Sequence, residues 1–277
     1  MKTILVPTDF SDAAYNAAEY ALKLAAQIEA TRVVLFHAYE LVVPIPDLPT
    51  AVPMVDMEEL KASSLEGLKK MADDLKGTVP QGCELSYRAE NQLLAASIND
   101  VATAEKADFI VMGIIGGSNL EEIFVGSNTV DVVKNTQFPV IVVPVEASFK
   151  GIKKIVFACD LKRVMETTPI KKLTALLDIF KPELVVVNVH KEGKEITGNQ
   201  PMEGLMLDAF LAPYNPDYRF VESDNVPNAV VNFAKEENAD LILVVPRKHG
   251  FFDSIFKRSN TSKMAFRSSI PLISLHQ

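Results

Sequence analysis

The feature that most constrains the fold of this chain is an internal repeat. Residues 2–9 (KTILVPTD) resemble residues 153–160 (KKIVFACD), which lie 151 positions later. Residues 107–113 (ADFIVMG) return as residues 239–246 (ADLILVVP), and a later run, QFPVIVVPV, returns as SIPLISL. Matches in the same order over such distances indicate a duplicated structural unit of roughly 140 residues.

Each copy alternates short apolar runs with segments of helical spacing. In the first copy the apolar runs predict strands, and capping residues and apolar periodicity predict the helices between them. The predicted strands are residues 2–7, 32–39, 84–89 and 109–112 and the run QFPVIVVPV, and the predicted helices begin near Asp12, Asp56 and Gln92. Strands that are apolar on both faces and alternate with helices predict a parallel sheet covered on both sides. The sequence therefore predicts an α/β fold of two tandem open parallel-sheet, Rossmann-like domains, residues 1–145 and 152–277, joined by a short linker.

Composition bounds the class of protein. The chain has 277 residues, of which 48% are hydrophobic and 23% charged, which is typical of folded globular proteins. No run approaches the roughly 18 uncharged apolar residues of a membrane span, and residues 1–7 are too short for a signal peptide. We therefore expect a cytoplasmic protein that does not enter membranes. Its two cysteines, Cys83 and Cys159, form no CxxC pair, so we expect buried free thiols.

Charge is distributed unevenly between the copies. Residues 1–145 contain 20 acidic and 10 basic side chains, a net charge of −10, whereas residues 146–277 contain 16 and 18, a net charge of +2. Excess acid disfavours nonspecific nucleic-acid binding by the first copy, because it repels the phosphate backbone. No specific nucleic-acid partner is expected.

A glycine pattern follows the fourth predicted strand of the first copy. It reads Gly113-x2-Gly116-x9-Gly126-Ser127 and lies where a strand gives way to a loop and then to a helix. Glycine lets the backbone take positive φ and approach a ligand, and the free N–H groups of a helix N-terminus attract anions. The pattern is therefore typical of phosphate binding, although the spacing alone fits ordinary turn glycines equally well.

Three segments together resemble the universal stress protein family in its arrangement of two such domains on one chain. They are an aspartate after the first strand, an apolar residue that closes the second, and the glycine pattern. The resemblance implies an adenine nucleotide alpha hydrolase-like fold. It also implies that the first domain binds ATP, AMP or ADP in a cleft at the carboxyl ends of the strands, where open α/β sheets usually bind ligands.

The resemblance also assigns roles to residues. Pro7, Thr8 and Asp9 would line the adenosine, Ala38 would contact adenine through its main chain, and Met112 and Gly113 would border the ribose. The phosphates would lie over Gly116 and be held by Gly126, Ser127 and Asn128, with Mg²⁺ as an optional companion. One departure stands out: Ile114 and Ile115 occupy positions where polar or basic residues are common in the family, which predicts weaker phosphate affinity.

The second copy lacks the glycine pattern. Aligning ADLILVVP on ADFIVMG predicts Pro246 at the place of Gly113, with His249, Ser259 and Asn260 at the places of Gly116, Gly126 and Ser127. Proline supplies neither positive φ nor a donor, so we expect this copy to be degenerate, with a structural or partner-binding role.

Several residues have a structural interpretation beside the functional one. Asp9 can cap a helix, although Ser11 and Asp12 compete for that position. His37, whose counterpart is Asn188, is predicted to be a structural histidine at a strand end. The loop 44–53 is either a flap over the cleft or a plain surface loop. A basic cluster either binds an anion or is solvated; it comprises Arg247, Lys248, His249, Lys257, Arg258, Lys263 and Arg267.

The motifs favour binding over turnover. No Gly-x4-Gly-Lys-Ser/Thr or Gly-x-Ser-x-Gly pattern is present, and the four histidines are widely separated. The sequence predicts no catalytic residue and no metal site of the protein's own. Slow hydrolysis of ATP, a nucleotidyl-transfer enzyme and a nucleotide-free interaction module stay open as alternatives.

The final strand of each copy predicts how the copies are joined. FPVIVVPV and SIPLISL are apolar and would otherwise be exposed sheet edges. In the family such strands pair, so we expect them to join the copies into a pseudo-dimer within the chain. An unknown protein partner and further association into a homodimer are left open.

Overall fold

The computed structural model of the chain describes residues 1–40, 56–114, 127–190, 200–246 and 269–276. Within these ranges the chain forms ten strands and eight α-helices. The strands are β1 (Thr3–Pro7), β2 (Arg32–Tyr39), β3 (Glu84–Asn91), β4 (Phe109–Ile114), β5 (Val140–Pro144), β6 (Lys154–Ala158), β7 (Glu183–His190), β8 (Asp217–Glu222), β9 (Leu241–Val244) and β10 (Leu272–Ser274). The helices are α1 (Asp12–Ile28), α2 (Met57–Leu75), α3 (Leu94–Ala104), α4 (Ser127–Asn135), α5 (Val164–Thr167), α6 (Ile170–Phe180), α7 (Gln200–Leu211) and α8 (Val226–Glu236). Helices α2 and α7 each run into a 3₁₀ turn, at Lys76–Thr78 and Ala212–Tyr214.

All ten strands belong to one sheet. Its order is β3-β2-β1-β4-β5-β10-β9-β6-β7-β8, so the second half repeats the strand order of the first in reverse. Neighbouring strands within each half are parallel. The final strands β5 and β10 pair antiparallel, with Ile141 opposite Ile273. The α/β class and the pairing of the final strands are therefore confirmed.

The hydrophobic core extends through both halves on each face of the sheet. One face is covered by helices that include α1, α2 and α6, and its core contains buried residues such as Leu22, Leu68 and Leu173. The other face is covered by helices that include α3, α4 and α8. Phe109 of β4 packs against Phe180 of α6, with ring centroids 6.0 Å apart. Each half therefore shares apolar contacts with the other.

The segment between the halves is fixed to α1. The side chain of Gln27 accepts a hydrogen bond from the N–H of Ile152 at 2.7 Å and donates one to its carbonyl oxygen at 2.8 Å. Asn16 donates to the carbonyl oxygens of Pro144 and Ala147 at 3.0 Å. The predicted limits of the two domains, 1–145 and 152–277, stay a prediction.

The strand register defines which residues of the two halves correspond. Pro7 lies opposite Phe36, and Ala158 lies opposite Val187. The offset of 151 residues that follows makes Asp160 the counterpart of Asp9 and Asn188 that of His37, as predicted. The same offset makes Val189 the counterpart of Ala38.

The predicted counterpart of Gly113 is wrong by one residue. Ile4 lies opposite Phe109 and Ile155 lies opposite Leu241, so Leu241 corresponds to Phe109. Counting along both strands places Val245, not Pro246, at the position of Gly113. ADFIVMG is one residue shorter than ADLILVVP, so aligning their last residues shifts the pairing by one, whereas hydrogen bonds fix the register from the strand start. The matching assignments of His249, Ser259 and Asn260 lie outside the described residues.

Other elements differ from or add to the predictions. Strand β4 continues through Gly113 to Ile114 instead of ending at Met112. Helices α5, α6 and α7 and strand β8 were not predicted. The loop 44–53 and the basic cluster lie outside the described residues. None of the described helices is both long and apolar enough to cross a membrane.

Candidate functional site

A cleft lies at the carboxyl ends of β1, β2 and β4, between the starts of α1 and α4. The connection after β1 runs over one face of the sheet and the one that leads into β4 over the other, so this is where ligands usually bind in open α/β sheets. The cleft has a volume of about 220 Å³. Its lining residues are Pro7, Thr8, Asp9, Ser11, Ala13, Ala14, His37, Ala38, Leu94, Met112, Gly113, Ile114, Asn128 and Thr129.

The turn after β1 presents the Asp9 carboxylate at the cleft. Phe10 has φ of 63°, and its N–H donates to the Thr8 hydroxyl at 3.0 Å. Oδ1 of Asp9 accepts hydrogen bonds from the N–H of Ser11 at 3.1 Å and from its hydroxyl at 2.6 Å. The Ser11 hydroxyl in turn caps α1 by accepting from Ala14 N–H. Ser11 is thus the helix cap, and Asp9 is an exposed carboxylate beside the cap with a second oxygen available to a ligand.

Gly113 is needed at the cleft for a reason other than positive φ. A Cβ on this residue would lie 2.1 Å from the carbonyl oxygen of Ala13, at the start of α1. Its φ is not among the positive values, which for glycine occur at Gly82 and Gly151 in the described chain. The expectation that the glycine permits a left-handed backbone is therefore wrong here. The missing side chain instead lets the first turn of α1 approach β4.

His37 is both structural and part of the cleft wall. Its Nδ1 lies 2.7 Å from the buried Ser64 hydroxyl of α2, and its ring centroid lies 4.5 Å from that of Phe10. Burial lowers the pKa of His37, and the nearby Asp9 carboxylate raises it to a smaller extent. The ring is therefore mainly neutral near pH 7. The predicted structural role is confirmed. The same ring also lines the cleft, which was not predicted.

The start of α4 also lines the cleft. Asn128 and Thr129 line it, and the helix begins at Ser127. The first N–H groups of a helix have no partner within the helix, so this end can bind an anion. Gly116 and Gly126 lie outside the described residues.

Seven of the ten predicted site residues lie together at this cleft. They are Pro7, Thr8, Asp9, Ala38, Met112, Gly113 and Asn128. The sequence interpretation missed Ala13, Ala14 and Leu94, which are apolar helix residues with no chemical signal of their own, and Thr129, which follows the predicted Asn128.

The second half keeps the turn but changes the helix that follows it. Oδ1 of Asp160 accepts from Lys162 N–H at 3.1 Å, as Asp9 does from Ser11, and Leu161 has positive φ as Phe10 does. However, α5 has only four residues, because Thr168 precedes Pro169 and adopts an extended conformation that ends the helix. Thus the 17-residue α1 has no continuous counterpart.

Val245 is incompatible with the arrangement of the first half. A helix placed like α1 would bring backbone within 2.1 Å of the Cβ at this position. Cys159 and Leu161, the counterparts of Thr8 and Phe10, are buried, and the carbonyl of Cys159 accepts a hydrogen bond from the Asn188 side chain at 2.9 Å. The two strand ends thus bond to each other in the second half.

Comparisons with known proteins agree with this architecture. The sequence model of the universal stress protein family matches residues 1–144. A universal stress protein of Methanocaldococcus jannaschii is 34% identical over 143 residues, which cover 51% of this chain and 81% of that protein. A universal stress protein of Thermus aquaticus is 34% identical over 142 residues, which cover 51% of this chain and 98% of the relative.

A solved structure extends the likeness to the whole chain. The crystal structure of a universal stress protein from Archaeoglobus fulgidus aligns with a TM-score of 0.71 over 99% of this chain and 98% of its own, at 18% identity. At that identity the likeness shows the fold alone. Since the family match covers half of the sequence and the curated relatives agree with it, the chain belongs to the universal stress protein family.

Proposed function

We propose that the first half binds an adenine nucleotide, ATP, ADP or AMP, and that the protein acts as a nucleotide-regulated component of the cytoplasmic stress response. The observation that carries this proposal is the cleft of about 220 Å³, which gathers seven residues that the family resemblance assigns to nucleotide binding. Its volume is slightly below the range of about 300 to 1,000 Å³ that is usual for small-molecule pockets.

The lining of the cleft suits a nucleoside. Pro7, Ala38, Leu94 and Met112 offer apolar surface to a flat base, and the Asp9 carboxylate can accept hydrogen bonds from an exocyclic amine or from ribose hydroxyls. In a mostly apolar cleft, a small number of polar groups at fixed positions orient a small ligand.

The phosphates would lie at the start of α4. Backbone N–H groups of its first turn, the Asn128 side chain and the hydroxyl of Thr129 are available donors there. When Mg²⁺ accompanies a nucleotide, phosphate oxygens and several retained waters supply most of its ligands, together with one or two protein carboxylates. Ser127, Gly116 and Gly126 are proposed to complete this subsite.

The same lining favours binding over rapid turnover. None of the described cleft residues is lysine or arginine, and phosphoryl transfer requires positive charge directed at the γ-phosphate. We propose that the nucleotide acts as a bound signal and that any hydrolysis is slow.

Calorimetric titration of the full chain with ATP, ADP and AMP tests the proposal. We expect one nucleotide per chain. Replacing Asp9 by alanine should weaken binding about tenfold or more, because a hydrogen bond to a charged group contributes about 1.5–3 kcal/mol.

The second half provides a matched control. Asp160→Ala removes a carboxylate that makes the same turn contact, at the same distance of 3.1 Å. Asp160→Ala should leave nucleotide affinity unchanged, because its carboxylate lies in the second half. A separate unfolding measurement accounts for the extra hydrogen bond that Asp9 accepts from the Ser11 hydroxyl. Absence of heat with all three nucleotides at millimolar concentration would favour a nucleotide-free interaction module, and multiple-turnover release of phosphate or pyrophosphate would favour an enzyme.

A further inference from the structure

Helix α7 carries an apolar stripe on its solvent side. The stripe consists of Met202, Leu205, Met206, Ala209 and Phe210, whose spacing of three and four residues places them along one side of a helix. All five residues are exposed, and Leu205 is 65% accessible. The opposite side of α7 is anchored by Leu207 and Leu211, which are fully buried. The helix is therefore apolar on the side that packs and also on the side that does not.

The corresponding helix of the first half shows that this surface is unusual. Helices α2 and α7 both connect the second strand of their half to the third, and both end in a 3₁₀ turn. Matching those ends pairs Met71 with Leu207 and Leu75 with Leu211, and all four residues are buried. The stripe then corresponds to Glu66, Lys69, Lys70, Asp73 and Asp74.

All five of those counterparts are charged and exposed. The same solvent-facing positions therefore carry charges in one half and apolar side chains in the other. Contiguous exposed apolar surface marks an interaction site more often than a solvated helix face. The difference between the halves is thus best explained by a partner that covers α7 and not α2.

The charges around the stripe bear on the identity of that partner. The stripe contains no ionisable side chain, so it offers nothing that would select a charged ligand. Two carboxylates of α7 flank the stripe. Glu203 accepts a hydrogen bond from the N–H of Val164 at 2.6 Å, and Asp208 is exposed and lies beside Tyr218 of β8. Two copies of this surface can therefore meet without opposed like charges at the centre.

The area also suits self-association. The exposed parts of the stripe amount to on the order of 500 Å² per chain, within the range of the largest apolar patches on monomers. Two such surfaces would bury on the order of 1,000 Å², near the lower limit of a stable protein interface. A ridge of leucine, methionine and phenylalanine can interdigitate with an identical ridge related by a two-fold axis.

We propose that the α7 stripe is the contact surface of a weak homodimer, in which α7 of one chain packs against α7 of a second copy. The contact is separate from the β5–β10 pairing, which is already used within the chain. The stripe belongs to the second half, whereas the proposed nucleotide cleft belongs to the first, so this proposal does not depend on the proposed function.

Sedimentation or light scattering over a range of protein concentrations tests the proposal. The full chain should pass from monomer to dimer between low micromolar and near-millimolar concentration. Leu205→Lys combined with Met206→Lys installs the lysines that α2 carries at these positions, so the exposed helix should tolerate them. This variant should stay monomeric over the same range, whereas Lys69→Glu combined with Lys70→Glu on α2 should behave as the unmodified chain.

Cross-linking provides a second readout that does not depend on disrupting the helix. Met206 lies near the middle of the stripe, so in a two-fold pair it should come close to its own copy. Met206→Cys should give a covalent dimer under mild oxidation, and Lys70→Cys, its counterpart on α2, should give no more than the unmodified chain. Phe210→Asp, which installs the counterpart of Asp74, should weaken the dimer independently.

Two results would overturn the proposal. One is a chain that stays monomeric at every concentration with no Met206→Cys cross-link. The other is a dimer that survives both the double lysine variant and Phe210→Asp, since its contact would then lie on another surface.

Discussion

The two halves of this chain share the same hydrogen bonds between their strands and at the strand starts, and they differ in the side chains and helices at the strand ends. Asp108 accepts from the N–H of Thr3 at 2.8 Å, and Asp240 accepts from the N–H groups of Lys153 and Lys154 at 2.8 and 2.9 Å. The N–H of Thr8 bonds to Phe36 as that of Cys159 bonds to Val187. Contacts that satisfy backbone N–H groups at the strand starts are thus the same in both halves, whereas the described residues at the strand ends differ.

Ion pairs show a second way in which the halves differ. In the first half Arg32 of β2 pairs with Glu105. In the second half Glu183 stands at the position of Arg32, and Lys154 of the neighbouring strand bridges Glu183 at 2.8 Å and Glu237 at 3.1 Å. The basic partner has moved to the next strand, but the charges stay paired. The comparison teaches that pairing is preserved more closely than residue identity.

The largest loss of stability is expected where the hydrophobic cores of the two halves meet. Phe180→Ala should lower the free energy of unfolding by about 3–5 kcal/mol, because it empties a buried aromatic site against Phe109. Urea unfolding followed by circular dichroism measures this. We expect one transition for the whole chain, and two separate transitions would show that the halves are independent. Phe220→Ala, at a residue that is 51% exposed, is the control and should change stability by less than about 0.5 kcal/mol.

The next largest effect is expected from installing the second-half residue in the first cleft. Gly113→Val should cost about 1–3 kcal/mol by overpacking, since even a Cβ there meets the Ala13 carbonyl. Denaturant unfolding measures the change. Gly77→Ala should be neutral or slightly stabilising, because a Cβ at Gly77 would have no neighbour within 4 Å. Equal results for the two glycines would contradict the close approach of α1 to β4.

A loss of stability is expected in both halves when the aspartate that binds the strand-start N–H groups is removed. Asp108→Ala and Asp240→Ala should each cost about 1–3 kcal/mol, because each leaves backbone N–H groups without their acceptor. Thermal and urea unfolding should show a loss for both variants, somewhat larger for Asp240→Ala, because its carboxylate accepts from Lys153 and Lys154 whereas that of Asp108 accepts from Thr3. A large loss of stability in one half with none in the other would mean that these equivalent hydrogen bonds contribute unequally to the free energy of unfolding.

The smallest effect concerns pH and the cleft wall. The folded-state pKa of His37 lies below its unfolded value, so acidification protonates the unfolded chain first. Stability should therefore fall as the pH drops below about 6.5 and through the lowered folded pKa. His37→Asn, which installs its counterpart Asn188, should flatten that part of the pH profile. His276 also has a lowered pKa, so the test is the difference between the two profiles. Identical slopes would contradict the assignment.

Much of the sheet could be predicted because strands and helices follow from patterns of neighbouring residues in the sequence. Buried strands are continuous apolar runs, and carboxyl ends of parallel strands converge. The family resemblance assigns Asp9, Ala38 and Gly113 to one site at those ends. Pairing of the final strands was implied by the family resemblance, and it agrees with the need to cover apolar edges.

The rest depended on spatial contacts that the sequence does not state. Only the packing of α1 explains Gly113, and a one-residue difference in segment length concealed that Val245 replaces it. Helix α7 escaped prediction because MEGLMLDAF is apolar on nearly all sides and therefore shows no amphipathic period. The sequence predicts only a structural role for His37, because its place in the cleft wall depends on the neighbouring Phe10 and Ser64.

Hydrogen–deuterium exchange with and without saturating ATP tests the central contrast between the halves most directly. If the first half alone binds the nucleotide, ATP should slow exchange in peptides that contain residues 8–14, 110–114 and 127–131. Their counterparts, residues 159–165 and 242–246, should exchange at the same rate with and without ATP. Protection confined to the second half, or unchanged exchange in both halves, would contradict the account.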